Sequence, residues 1–374
     1  ATLQTAGTLW AATSGTAPSA TGGTIVVKAD TVSLNTGGTM TAMSTGAGAA
    51  GQITVQGVAS SAQSVLIDGS GSGIFTDTHG TSAGGNISVN SNSVTLQNGG
   101  TLSAATSGTA PSATGGMITV NGEHVALNSQ AVITADTNGI APAGVIDINT
   151  GTLAVNSGAQ IRSSSTAETQ PLRALALSLE TAQPLTGGTI TVQGRAGTGS
   201  QADSVTIDRA GSGIFTQSTG NRPGGDINIL TSGSVTMTNG ASISASSTGA
   251  GSAGNIQINA GNQFTMTNSS VTTEATQSGG GLIKVTTTPS GGVQLTNSKI
   301  SASVLDGTGG GGSVNIDPQF VILQNSQILA QAVQGPGGNI SITTNLLLPD
   351  SASVISASSQ FGQQGTISIQ SPIA

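Results

Sequence analysis

The sequence predicts an all-β chain folded as a right-handed parallel β-helix, with three strands per rung, about twelve rungs and one short helical insertion. Three observations predict it. A pattern of two small residues, one variable residue and then apolar-x-apolar returns along the whole chain. Each copy is followed by two further short segments of period-two alternation, and Gly or Asn stands at their boundaries. Alternation over four to six residues, rich in Val and Ile, is the pattern of a half-buried strand.

The first strand of a rung reads Gly22-Gly23-Thr24-Ile25-Val26-Val27, and again Gly84-Gly85-Asn86-Ile87-Ser88-Val89 and Gly337-Gly338-Asn339-Ile340-Ser341-Ile342. Its first apolar residue returns roughly every 31 positions, a solenoid period. The second strand ends in a turn residue, as in Val94-Thr95-Leu96-Gln97-Asn98 and Val235-Thr236-Met237-Thr238-Asn239. Asn98, Asn239, Asn268, Asn297 and Asn325 all fall at this second turn, where Asn tolerates left-handed backbone and stacked amides bond along the axis. The third strand is short and brings a small residue inward after its aliphatic, as at Ala104, Ala135, Ala245 and Ala302. Three such strands make a triangular rung, and stacked rungs make three parallel sheets, right-handed by the crossover rule.

Duplications keep the same register. Residues 11–23 and 104–116 are identical, three rungs apart, and Gly71-Ser72-Gly73-Ile74-Phe75-Thr76 returns at 211–216. With no shift of composition to mark a boundary, residues 1–374 read as one continuous β-helix. A loop insertion at 162–186 interrupts it, where Leu172, Leu175 and Leu179 are spaced for one face of a short helix between Pro171 and Pro184. That helix is expected to cover the solenoid flank or to make a lateral contact with another protein.

Composition narrows the function. Of 374 residues 57 are Gly, 6% are charged and 2% aromatic, and the net charge is −7. A basic stripe for phosphates is missing, which excludes nucleic acid as the partner, and no apolar run reaches the length of a membrane span. Without Cys there is no disulfide, thiolate metal site or thiol nucleophile. A β-helical lyase or hydrolase needs acids or bases clustered on neighbouring rungs. Here the outward residues of the first strands are Val26, Thr54, Ser88, Thr119, Asp147, Thr191, Asn228, Gln257, Lys284, Asn315, Ser341 and Ser368, with no two acids adjacent. Asp68 and Asp208 are four rungs apart and read as turn residues. His79 is solitary, and Glu123-His124 reads as loop. Nothing in the pattern calls for a metal or a cofactor.

Trp10, Phe75 and Phe215 are placed at the outward position of the third strand, as a lateral contact stripe or, if the register slips there, as inward residues. At one end Ala1-Thr2-Leu3-Gln4-Thr5 matches a second strand, and at the other Thr366-Ile367-Ser368-Ile369 matches a first strand. An uncapped solenoid exposes unpaired backbone. Either the chain is an excerpt of a longer solenoid or copies stack head to tail. In the latter case Ile367 and Ile369 are expected to pack in line with Leu3 and Leu9, with a repeat near 58 Å from about twelve rungs of roughly 4.8 Å.

The Gly-Asn-Ile-x-Ile rungs at 254–258 and 338–342, the Ser-Gly-Ile-Phe-Thr elements at 72–76 and 212–216, and the ending from Ala357-Ser358-Ser359-Gln360-Phe361-Gly362 to Ile369-Gln370-Ser371-Pro372 carry a resemblance. The chain resembles the C-terminal solenoid region of filamentous-haemagglutinin-like large exoproteins, the secreted partners of two-partner secretion systems. The resemblance implies secretion to the surface of a Gram-negative-type bacterium and a role in adhesion, aggregation or biofilm. The expected function is therefore a non-catalytic extracellular fibre or stalk. Its expected partners are other copies of itself and, on a host or neighbouring cell, a surface or glycan. The alternative is a carbohydrate-active or glycan-binding β-helix.

Overall fold

The computed structural model describes residues 1–108, 110–139, 141–166 and 187–372. Among these the chain forms a parallel β-solenoid of about twelve turns, and every strand pair is parallel. The helix expected between Pro171 and Pro184 lies outside the described residues, as do Leu172, Leu175 and Leu179.

Register converts the sequence repeat into axial columns. Ile25 pairs with Ile53, Ile53 with Ile87, and the column continues through Ile118, Ile146, Ile190, Ile227, Ile256, Ile283, Val314 and Ile340 to Ile367. A second column from the same strands runs from Val27 to Ile369. The second strands add two more, one through Val65, Val94 and Val125 and one from Leu3 through Leu34 to Leu323. The third strands add one from Leu9 through Met40, Ile74 and Leu102 to Ile355. Nearly all of these side chains are fully buried in a single core. Each fully buried aliphatic contributes about 1.5–3 kcal/mol, whereas an exposed ion pair contributes about 0–1, so the columns hold the solenoid together.

Three strands per rung are present, but they form two sheets rather than three. First and second strands belong to one 20-stranded sheet, and the third strands form a separate 12-stranded sheet. The reason is local. In several rungs one strand runs through the first corner without a turn, as in Asn86–Gln97, Met117–Leu127, Val145–Asn156 and Asp226–Thr238. Small residues stack inside that corner, including Ala62 on Ser91 and Ala202 on Thr231. Ser91 and Thr150 each donate to the carbonyl two residues on, at 2.8 Å, so the buried hydroxyl is satisfied while the backbone stays extended.

The second turn is the tight one. Asn98, Asn239, Asn268, Asn297 and Asn325 all have φ between 48° and 56°, as their residue type predicts. Where Ser follows Asn, a serine ladder runs along the axis. Ser298 Oγ donates to Thr296 O at 2.8 Å and accepts the Ser269 amide at 3.2 Å, and Ser326 accepts the Ser298 amide at 3.1 Å.

After the third strand the chain leaves the triangle as an arm and returns. The arm is closed at its base by a bond from the second Gly of the pair to the residue following the third strand: Gly116 N to Ala104 O, Gly254 N to Ala245 O, Gly312 N to Ala302 O, at 2.6–2.7 Å. These paired glycines are not left-handed. Backbone approach demands them, since a Cβ on Gly254 would lie 2.0 Å from Gly225 O and one on Gly225 would lie 1.9 Å from Gly188 O. Successive arms are joined by single bridges, Ser44 to Thr78 to Thr106 to Thr137 to Ser165 to Ser218 to Ser247. Farther along, Ala253, Ala275, Val304 and Ala332 form a small second core inside the arms.

Candidate functional site

Outward and corner side chains carry whatever chemistry the solenoid offers, and register decides which of them meet. On the first strands register stacks the twelve residues from Val26 to Ser368 in the expected order, with Asp147 between Thr119 and Thr191. Burial pushes the Asp147 carboxyl above its ordinary range, opposed by a hydrogen bond from Thr191.

Several other carboxylates are bound to a neighbouring rung or to their own turn. Asp68 accepts Asn98 Nδ2 at 2.7 Å. Asp208 accepts Thr238 Oγ1 at 2.6 Å and Asn239 Nδ2 at 2.7 Å, and these donors hold its carboxyl below the usual range. Both aspartates therefore serve turns. Asp226 accepts the amide and the side chain of Asn255, while Asp350 accepts Ser353 Oγ and the Asn325 amide. Among the described residues four acids meet cations: Asp136 with Arg162 at 3.2 Å, Glu274 with Lys299 at 2.9 Å, Glu123 with Arg195 at 2.7 Å, and Asp208 with its neighbour Arg209 at 3.6 Å. Among the described residues, no three His, Cys, Asp or Glu side chains gather closely enough for a metal ion.

Glu123 and His124 are not loop. Both lie within the strand Met117–Leu127, because the first corner stays extended, and His124 Nδ1 is 2.9 Å from Thr152 Oγ1. His79 sits in an arm, its amide bound to Ser44 O.

Trp10, Phe75 and Phe215 share one outward column of the third sheet, so the register does not slip there. Trp10 pairs with Thr41 and Thr41 with Phe75, while Phe215 lies between Arg162 and Ser244. The two phenylalanines are half-buried, whereas Trp10 is 71% exposed. Each phenylalanine ring folds over the glycine two residues earlier: a Cβ on Gly73 would lie 2.6 Å from Phe75 Cζ, and one on Gly213 would lie 2.5 Å from Phe215 Cζ. The repeated Gly-Ile-Phe is thus one unit in which the ring covers bare backbone. Phe320 covers Gly292 of the neighbouring rung in the same way.

A polar seam that the strand pattern does not reveal runs beside these rings. Ser103, Thr134, Ser244, Thr272 and Ser301 point outward from the third sheet yet are buried. The first residues of each arm bend back alongside them and bind them: Ser103 donates to Asp77, Ser246 to Thr272, Ser301 to Ser303, and Gln331 to Ser356. Asp77 also accepts the Ala105 amide at 2.8 Å. Only the arm geometry makes these pairs neighbours. In sequence their sole sign is a hydroxyl or carboxylate two residues past the outward one.

Ile367 and Ile369 are not in line with Leu3 and Leu9. They stand in the first-strand columns with Ile340 and Ile342, whereas Leu3 lies over Leu34 in the second strands and Leu9 over Met40 in the third. Leu9, Ile367 and Ile369 are 38%, 43% and 42% exposed.

An open groove of about 630 Å³ lies at the first corner near Pro289, Pro318, Asn345 and Pro372, and Asp317 is the one carboxylate lining it. Among the described residues, no helix is long and apolar enough to cross a membrane. The chain matches no family model, no curated protein and no solved structure.

Proposed function

We propose that the chain is a non-catalytic structural and adhesive element, a rigid β-solenoid fibre or stalk working outside the cell. The observation that carries this reading is the investment of side chains along the axis. Five aliphatic columns, the serine ladder and the bound carboxylates all join one rung to the next. A body built this way resists bending, which suits a load-bearing stalk.

Self-association along the axis is part of the proposal, as is presentation at the surface of a Gram-negative-type bacterium for adhesion or matrix building. A lateral contact at the exposed Trp10 of the third sheet is also part of the proposal.

Electron microscopy of the native material tests this reading, with protease digestion and a polysaccharide viscosity assay in parallel. Straight rods of fixed width that survive protease and leave viscosity unchanged are expected. Flexible or globular particles, or a fall in viscosity on incubation, would overturn it.

A further inference from the structure

We propose that the arm of the rung containing Ser218 holds a small inorganic anion, bound by Arg222 and the buried hydroxyls around it. This inference is independent of the fibre reading and rests on two columns that change character in the same rungs.

The first column is the third residue before the second Gly of the pair. It holds Ala113 and Ala141, both fully buried, and it holds Gly251 in the rung after. At the same position stands Arg222, and the alignment is fixed by Pro142 and Pro223, each of which follows directly. Where those three rungs place a methyl group or a hydrogen, this one carries a guanidinium. Arg222 is 9% exposed, and its Nη1 is buried without a hydrogen-bond partner. Burial pulls this guanidinium below its ordinary range, as expected of a cation without a counter-charge. Asp226, the nearest carboxylate in sequence, is bound to Asn255 of the next rung.

The second column is the bridge residue that opens each arm. In the earlier rungs its hydroxyl is used: Ser44 Oγ donates to Gly48 O at 2.6 Å, and Thr78, Thr106 and Thr137 accept the amides of Gly80, Gly108 and Gly139. In three consecutive rungs it is not. Ser165, Ser218 and Ser247 are bridged in register, essentially fully buried, and their Oγ atoms have no partner. Ser218 is the middle one and belongs to the arm of Arg222. In the rung of Ser44 the bridge hydroxyl bonds the backbone carbonyl of Gly48, the residue at the position of Arg222, so the two positions are close in the arm.

Unmet donors in a dry arm are costly, and a buried unpaired cation more so. Elsewhere the chain pairs its part-buried cations, Arg162 with Asp136 and Lys299 with Glu274. Among the described residues the Arg222 corner combines one positive charge with unpartnered hydroxyls and no paired carboxylate, which is complementary to an acceptor-only species such as a halide or a small oxyanion. Water would meet the hydroxyls but would leave the charge uncompensated.

The test is thermal unfolding of the full chain at constant ionic strength, with chloride or nitrate replacing gluconate. Because an anion bound to the native state stabilises by mass action, the midpoint should rise by several degrees and saturate. Arg222→Met should abolish that saturable rise while folding normally in gluconate. Ser218→Ala, which keeps the cation, should shift half-saturation several-fold higher. A bromide-soaked crystal should show anomalous scattering in the arm. Parallel responses of wild type and Arg222→Met, or a corner holding water alone, would overturn the proposal.

Discussion

Arg195 Nη1 lies 2.7 Å from Glu123 Oε2, although the two residues are two rungs apart. The rung between them contributes Gly151, where a Cβ would sit 2.6 Å from Glu123 Oε1 and 2.9 Å from Glu123 O. The glycine is thus the opening through which the ion pair spans three rungs. Both partners are about two-fifths exposed, so the pair itself contributes no more than about 1 kcal/mol. Gly151→Ala displaces the carboxylate and also presses on backbone. It should therefore cost more than Arg195→Ala, about 1–2 kcal/mol against at most about 1. Denaturant midpoints of the two variants give the ranking, and equal losses would show that the glycine has no role beyond the ion pair.

The Gly ladder at the base of the arms makes a sharper demand. A methyl group on Gly254 meets Gly225 O at 2.0 Å and Gly224 C at 2.6 Å, and neither atom belongs to a side chain that can swing away. Gly254→Ala must separate two rungs, break the bond from Gly254 N to Ala245 O and open the core beneath, at a cost on the order of 3 kcal/mol or more. Gly197 is the control. It has φ +81° and nothing within 4 Å of the place a Cβ would occupy, so its alanine variant should lose only about 1 kcal/mol. Hydrogen exchange should show protection lost in the rungs flanking Gly254 and retained at the far end, as nearest-neighbour stacking requires. Wild-type stability in Gly254→Ala would refute the ladder.

Strands and columns were legible in the sequence because period two and the rung repeat are both written in single residue types, such as the Ile of Gly-Asn-Ile and the Asn of the second turn. What could not be read was contact between elements with different offsets. The sequence marks Gly73 and Phe75 as a repeated motif but not as ring over backbone. It marks Glu123 and His124 as a polar cluster, which suggests loop, whereas an extended corner keeps them in strand. It gives no sign that Ser103 and Asp77 meet, because that depends on the bend of the arm. Ile367 and Leu9 look alike as terminal aliphatics, yet they belong to strands of different faces.

The serine ladder at the second turn yields a prediction about backbone rather than side chains. Ser298 is buried, donates to Thr296 O and accepts the Ser269 amide. Ser298→Ala leaves that amide without its acceptor in a position closed to water, a loss of about 1–3 kcal/mol. Ser270→Ala, next to the ladder but half-exposed, should change stability by less than about 0.5 kcal/mol. Equal stability of the two variants in urea would show that the amide finds another partner.

Asp77 supplies the pH dependence. Burial pushes its carboxyl above the ordinary 3.8, and the hydrogen bonds from Ser103 and the Ala105 amide, together with His79, only partly offset that push. Between 3.8 and the raised native value, the folded chain holds a proton that the unfolded chain has released. Stability contributed by this group is therefore full below 3.8 and falls as pH rises through that window. Asp77→Asn keeps an oxygen for both donors and removes the desolvated charge. The variant should match wild type at about pH 3 and exceed it by on the order of 1 kcal/mol at about pH 7, with the gap opening as the carboxyl ionises. Denaturant midpoints of both proteins across that range decide it. A gap that narrows with rising pH would mean that the ionised carboxylate is the better partner of Ser103 and Ala105, and that the seam is held by charge.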